Sequence, residues 1–222
     1  MMPFTREDWA LKAAKLASVS SEFTFMFSKC ATDKQVNWRQ NQLSRPIPGG
    51  IRELACGIAS RLELRWELLP EIVSHDSFHE EFLTSGDFAF NFFETDLAKL
   101  EGWEHSFTHW QEYRTEANPF DFAELFPVFG IMNGDLIIEL IGDRERGAIY
   151  YLDHESGSAD WKRLAGSYAE FLTTLADLWF PSIDWYDSLE KFYDPVTNRL
   201  SPDTPFAKRW KTFMAEVIST HC

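Results

Sequence analysis

The apolar positions fall into successive blocks of helical and strand period. Trp9, Ala13 and Leu16 recur on one helical face, and Thr5 is placed to cap that helix, with Asp8 reaching back. Phe23, Phe25 and Phe27 then alternate with Thr24, Met26 and Ser28, which predicts a strand over 22–29. Residues 32–45 are polar, and RPIPGG at 45–50 reads as a linker punctuated by Pro and Gly. Beyond it, Ile51, Leu54, Ile58, Leu62 and Leu69 mark one helical stripe, stopped at Pro70. A second short helix is predicted over 71–85 around Ile72, Phe78 and Phe82, ending at Gly86, and then a strand over 87–93. Short helices over 95–100 and 105–116 lead to a turn at Asn118-Pro119.

The strand signal is best in the middle of the chain. Residues 126–130 form one apolar run and LIIELI at 136–141 a second, separated by Asn133-Gly134, a dipeptide that accepts positive φ in a tight hairpin. GDRERG at 142–147 is a polar turn, and AIYYLD at 148–153 is a third strand, so 126–153 predicts an antiparallel meander. A helix over 163–179 follows, with Leu164, Tyr168, Phe171, Leu172, Leu175 and Trp179 on its apolar face and Pro181 after it. Thr204-Pro205 opens a terminal helix striped by Phe206, Trp210, Phe213 and Val217. The fold class is α+β: an antiparallel or mixed sheet with helices packed on it.

Charge adds a boundary and excludes partners. The 222 residues carry a net charge of −14, but residues 1–50 are net +3 and residues 51–222 net −17. The sign changes at the Pro- and Gly-rich stretch, which divides the chain into an N-terminal extension (1–50), a central domain (51–181) and a C-terminal helical extension (182–222). So acidic a surface repels phosphate backbones and anionic lipid, so no nucleic-acid or membrane partner is expected. A basic protein is the favoured partner, because opposite fields speed encounter. The start of the chain lacks signal-peptide anatomy, and Cys30, Cys56 and Cys222 form no paired motif, which predicts a reduced, cytoplasmic protein.

Catalytic chemistry gains little support. In Asp153-His154-Glu155, neighbouring strand side chains point to opposite faces, a poor geometry for a His–carboxylate dyad. His75/His79 and His105/His109 have the i, i+4 spacing of a helical metal pair, but HDSFH lacks the Glu of HExxH. Neither a nucleophile motif nor a phosphate loop is present, and no cofactor, metal or catalytic residue is assigned. The acidic positions along the meander are the candidate protein-binding patch. Asp121 and Glu124 precede it, Asp135 lies in its first turn, Asp143 and Glu145 in its second, and Asp153, Glu155 and Asp160 after its third strand.

Taken in order, FPVFGIMNGDLIIELI (126–141), GAIYYLDHE (147–155) and LAGSYAEFLTTL (164–175) resemble the SMI1/KNR4 family, also called SUKH. Asn133, Gly134, Asp135, Tyr150, Tyr151, Asp153, His154, Glu155, Ser167, Glu170, Phe171 and Leu172 carry the match, and Leu69-Pro70 is similar to the family's N-terminal Leu-Pro. The resemblance implies an SMI1/KNR4-like α+β domain over 51–181 without catalysis. Bacterial members of the family are immunity proteins that neutralise a toxin, often a nuclease. Fungal members are scaffolds in cell-wall assembly and signalling. The expectation is a cytoplasmic immunity-type protein that binds a basic toxin. The alternatives are a regulatory scaffold and a hydrolase or metal enzyme using Asp153 or His154.

Overall fold

The computed structural model describes residues 5–43, 45–75, 78–90, 122–130, 135–153, 161–186 and 188–221. Helix α1 (Arg6–Ala17) begins at the expected capping box: the Asp8 amide donates to Thr5 Oγ1 at 3.2 Å and the Thr5 amide to the Asp8 carboxylate at 2.8 Å. Trp9, Ala13 and Leu16 are its buried face. Strand β1 (Ser20–Phe27) follows, with Phe23, Phe25 and Phe27 half-buried on one side.

The polar stretch after β1 is more than a linker. Thr32 and Gln35 form a second capping box, which starts α2 (Asp33–Gln40). Gly49 and Gly50 open α3 (Gly49–Gly57), and a Cβ on Gly50 would collide with the Cβ of Tyr168, so glycine permits this close approach. The helical stripe expected through Leu69 ends at Gly57. Residues 62–68 instead form β2 (Leu62–Leu68), in which Leu62, Leu64, Trp66 and Leu68 are buried while Arg65 and Glu67 face solvent. That alternation has period 2, which decides for a strand. The helix expected over 71–85 is the single turn α4 (Pro70–Val73), after which Phe78 and Phe82 pack against Phe213 near the chain end. Strand β3 is Ser85–Phe90. The expected elements at 91–118 lie outside the described residues.

Strands β1, β2 and β3 form one antiparallel sheet in that order. Trp66 stands opposite Phe23 on one side and Gly86 on the other. A second antiparallel sheet runs β4 (Leu125–Gly130), β5 (Leu136–Leu140), β6 (Ile149–Leu152) and β7 (Lys162–Ala165), in sequence order. The expected meander is therefore present, although its Asn133-Gly134 turn lies outside the described residues. Pro127 sits in β4, at the end of the sheet order, where its missing N–H is tolerated. Every residue of β5 and β6 is buried, as in strands covered on both faces.

The helix expected over 163–179 is shorter. Its first residues belong to β7, and α5 (Tyr168–Asp177) starts where Ser167 Oγ accepts from the Glu170 amide at 3.1 Å. Glu170 reaches back to the Gly166 amide at 2.8 Å and pairs with Arg199 at 2.9 Å. Tyr168 and Phe171 pack on Phe129 of the sheet at ring separations of 6.4 and 6.3 Å. The last segment, expected to be helical, also holds a small hairpin of β8 (Tyr193–Asp194) and β9 (Arg199–Leu200) before α6 (Pro205–His221). Asp194 makes that turn by accepting from the Val196 amide at 2.9 Å and the Thr197 hydroxyl at 2.8 Å.

The three-stranded sheet, α1 and α6 meet where α5 ends. Trp179 (φ 65°) and Phe180 (φ 52°) occupy the left-handed region, which L side chains rarely adopt. The Trp210 indole N–H donates to the Leu178 carbonyl at 2.8 Å, and that of Trp66 to the Phe180 carbonyl at 3.0 Å. Lys12 caps the Ala176 carbonyl and lies 4.6 Å from the centroid of the Trp179 ring. Burial pulls its ammonium down to about 8, against the opposing pull of Asp177. Trp9 stacks on Phe180 at 4.6 Å. A Cβ on Gly86 would strike the Phe180 carbonyl, so this corner also fixes the residue facing Trp66. Thus α1, β1 and α6, on the outer thirds of the chain, share one core with the middle. No helix among the described residues is long and apolar enough to cross a membrane.

Trp210→Phe keeps a ring in place but leaves the buried Leu178 carbonyl unpaired. It should cost about 1–3 kcal/mol in urea denaturation, and an unchanged midpoint would show that the indole bond is dispensable. Phe171 is 0% exposed, and Phe171→Ala should cost about 3–5 kcal/mol by the same measurement.

Candidate functional site

The turn geometry of the four-stranded sheet sorts the candidate acidic residues into two groups. Leu125 pairs with Leu140, and Leu136 with Leu152. Glu124, Asp143 and Glu145 therefore lie at one end of the sheet, and Asp135 and Asp153 at the other, about 15–20 Å away by strand rise. Asp121, Glu155 and Asp160 lie outside the described residues, as do His154, His105 and His109. His75 and His79 do not share a helix, because α4 ends at Val73. Among the described residues, no group of three or more His, Cys, Asp or Glu is placed to hold a metal ion.

At the first end, Asp143 is fully exposed and forms an ion pair with Arg146 at 2.7 Å. Glu145 accepts from the Tyr150 hydroxyl at 2.9 Å and lies 3.5 Å from Arg163. Burial and the bond to Glu145 push the Tyr150 phenol up to about 12, which keeps it a donor. Glu124 is half-buried against Gly142. This end is a charged rim with its own counter-charges.

The opposite end is built differently. Asp135 (1% exposed) and Asp153 (7% exposed) are buried, so neither is a freely solvated charge. Adjacent strand residues face opposite ways, so Tyr151 lies on the main-core face of the sheet and Tyr150 in the smaller apolar cluster on the other. The Tyr151 hydroxyl donates to Asp135 Oδ2 at 2.5 Å and accepts from the Trp185 amide at 3.2 Å. Burial, then the bond to Asp135, raises its pKa well above the usual phenol range. The Tyr186 hydroxyl donates to Asp153, and the Tyr186 amide to Asp184 Oδ1 at 3.0 Å. Two carboxylates of the sheet thus anchor the segment 184–186.

That anchoring creates a pocket of about 320 Å³. Trp185 is its aromatic centre, 5.8 Å from Tyr151 and 5.1 Å edge-on from Tyr193. Tyr186 and Asp153 form one wall, Glu190 stands at the mouth, and Lys162 Nζ lies 6.0 Å from the Trp185 ring centroid. Lys162, Trp185, Tyr186, Glu190 and Tyr193 are absent from the sequence-based candidates. Their signal was two aromatic pairs, Trp185-Tyr186 and Phe192-Tyr193, in a stretch without helical or strand period. Chemically the pocket offers ring faces and carboxylates to a cation. No family model and no curated protein matches this sequence.

Glu139 is the other residue that the sequence reading passed over. It lies in the all-buried strand β5, is 5% exposed, and its Oε2 has no hydrogen-bond partner among the described residues. The hydroxyl of buried Tyr168 is likewise unpaired. Burial pushes the Glu139 carboxyl up to about 8. Between 4.5, its ordinary value, and about 8, the folded chain holds a proton that the unfolded chain has released. Stability therefore falls as pH rises through that window. Glu139→Gln should abolish this component. The stability difference between the two proteins in urea should grow in the variant's favour by up to about 1.4 kcal/mol per pH unit, and a constant difference from pH 5 to pH 9 would refute it.

Proposed function

We propose that the chain is a non-catalytic binding domain of the SMI1/KNR4 type, acting in the cytoplasm as an immunity protein against a basic toxin. The observation that carries the reading is the aromatic pocket with Asp153 and Glu190 at its wall and mouth, on a chain of net charge −14. Such a surface attracts a basic protein and gives it a place to insert a cationic side chain. Tyr151, Ser167, Glu170, Phe171 and Leu172, which carry the family resemblance, supply the sheet-to-pocket bond, the cap of α5 and the core beneath it. Asp153, the carboxylate of the alternative enzyme reading, accepts from Tyr186 and so has a structural role at the pocket wall. Cys30 and Cys56 are free thiols, in keeping with a reducing compartment.

The test is capture of the partner from the source cells, followed by association kinetics. A partner with a pI above about 9 is expected, and protection of growth when it is co-expressed as a toxin. Asp143→Lys, which reverses a fully exposed rim charge, should slow association more than it speeds dissociation, and the effect should shrink as salt rises. An acidic partner, or an association rate indifferent to salt, would overturn the reading.

A further inference from the structure

We propose that the pocket at the Asp153 end of the four-stranded sheet seats a guanidinium group, the side chain of an arginine presented by the basic partner. The inference rests on the binding reading above and names the group that the pocket takes.

Three observations lead to it. First, the pocket already holds a cation of the chain's own: the Lys162 ammonium lies at the Trp185 ring, at the outer limit of cation–π distance. Second, among the described residues that line it, the acidic side chains outnumber the basic. Asp153, Glu190 and Lys162 are its charged lining, and the exposed Glu190 makes no ion pair among the described residues. Third, the walls are flat. Tyr151, Trp185, Tyr186 and Tyr193 offer ring faces or edges within a space of about 320 Å³, ample for a guanidinium and its aliphatic stem. A planar, weakly hydrated cation stacks on such rings and bonds carboxylates through several N–H groups, whereas an ammonium is a strongly hydrated point charge.

The pocket is also built to keep its shape without a ligand. The Tyr151–Asp135 and Tyr186–Asp153 bonds and the Tyr151–Trp185 amide contact fix three of its rings to the sheet. A preorganised seat loses little entropy on binding. Lys162 is then an internal competitor, which an incoming guanidinium displaces from Trp185.

The experiment follows the Trp185 indole N–H by NMR during titration with N-acetyl-arginine amide, with the lysine analogue and with the neutral, nearly isosteric citrulline analogue. The arginine compound should bind in the millimolar range, with the citrulline compound weaker by about tenfold or more and the lysine compound intermediate. Lys162→Met should tighten arginine binding by about threefold and Glu190→Gln weaken it by a similar factor. Both positions lie at least partly in solvent, so both variants should keep the wild-type unfolding midpoint. Equal binding of the citrulline compound, or weaker arginine binding in Lys162→Met, overturns the assignment. If the arginine compound fails while the chain still associates with its basic partner, the pocket assignment falls and the binding reading stands. If no basic partner associates, the binding reading falls, and the titration decides the pocket on its own.

Discussion

The fold depends on a corner that the backbone would not adopt unaided. Two consecutive non-glycine residues, Trp179 and Phe180, hold positive φ, a conformation that costs roughly 1–3 kcal/mol for each residue. It persists because its carbonyls are claimed by groups from distant segments. Lys12 takes that of Ala176, Trp210 that of Leu178 and Trp66 that of Phe180. The two indole bonds satisfy carbonyls that burial would otherwise leave unpaired, while the Ala176 carbonyl also accepts from the Trp179 amide at 3.2 Å. The corner thereby ties α1, β2 and α6 to the end of α5, with Phe88 of β3 packed beside it.

The parts of this architecture legible in the sequence are those where period and turn chemistry agree. The meander of β4, β5 and β6 has apolar runs bounded by Gly-rich turns, and the terminal helix has a Thr-Pro start and a clean stripe. Errors arose where two periods overlap. Ile51 and Leu54 are helical and Ile58 caps the helix, and Leu62 and Leu69 extend the same stripe by accident of spacing, while Leu62–Leu68 alternates strictly. The capping box of Thr32 and Gln35 was present in a stretch read as linker, because a helix with few apolar residues gives no stripe. Strand β7 merges in sequence with the helix after it, since four residues are too few to show a period. The Pro- and Gly-rich stretch at 45–50 marks a helix start in a shared core, where a change of charge suggested a boundary.

The candidate site shows the same division. The spacing of carboxylates along the sequence does not tell exposed positions from buried ones. Asp143 remains a surface charge, whereas Asp135 and Asp153 serve tyrosine hydroxyls. Those tyrosines come from opposite directions, one from the sheet and one from the segment before the small hairpin. No local pattern encodes that meeting. It depends on the chain after Pro181 folding back over the end of β6, which only the assembled structure reveals.

The bond from the Trp66 indole to the Phe180 carbonyl spans 114 residues, and this separation sets an order of events during synthesis. At ribosomal speeds, on the order of ten seconds pass between the emergence of Trp66 and that of its acceptor. For most of that interval the three-stranded sheet has its strands in hand but not its cover: Trp66 and Phe88, each 0% exposed in the finished protein, have no Trp210 or Phe180 to lie against. In a growing chain such a face is exposed before the C-terminal helix that covers it has been made. The arrangement that locks the folded protein thus leaves the apolar face of its early half uncovered while it is being made.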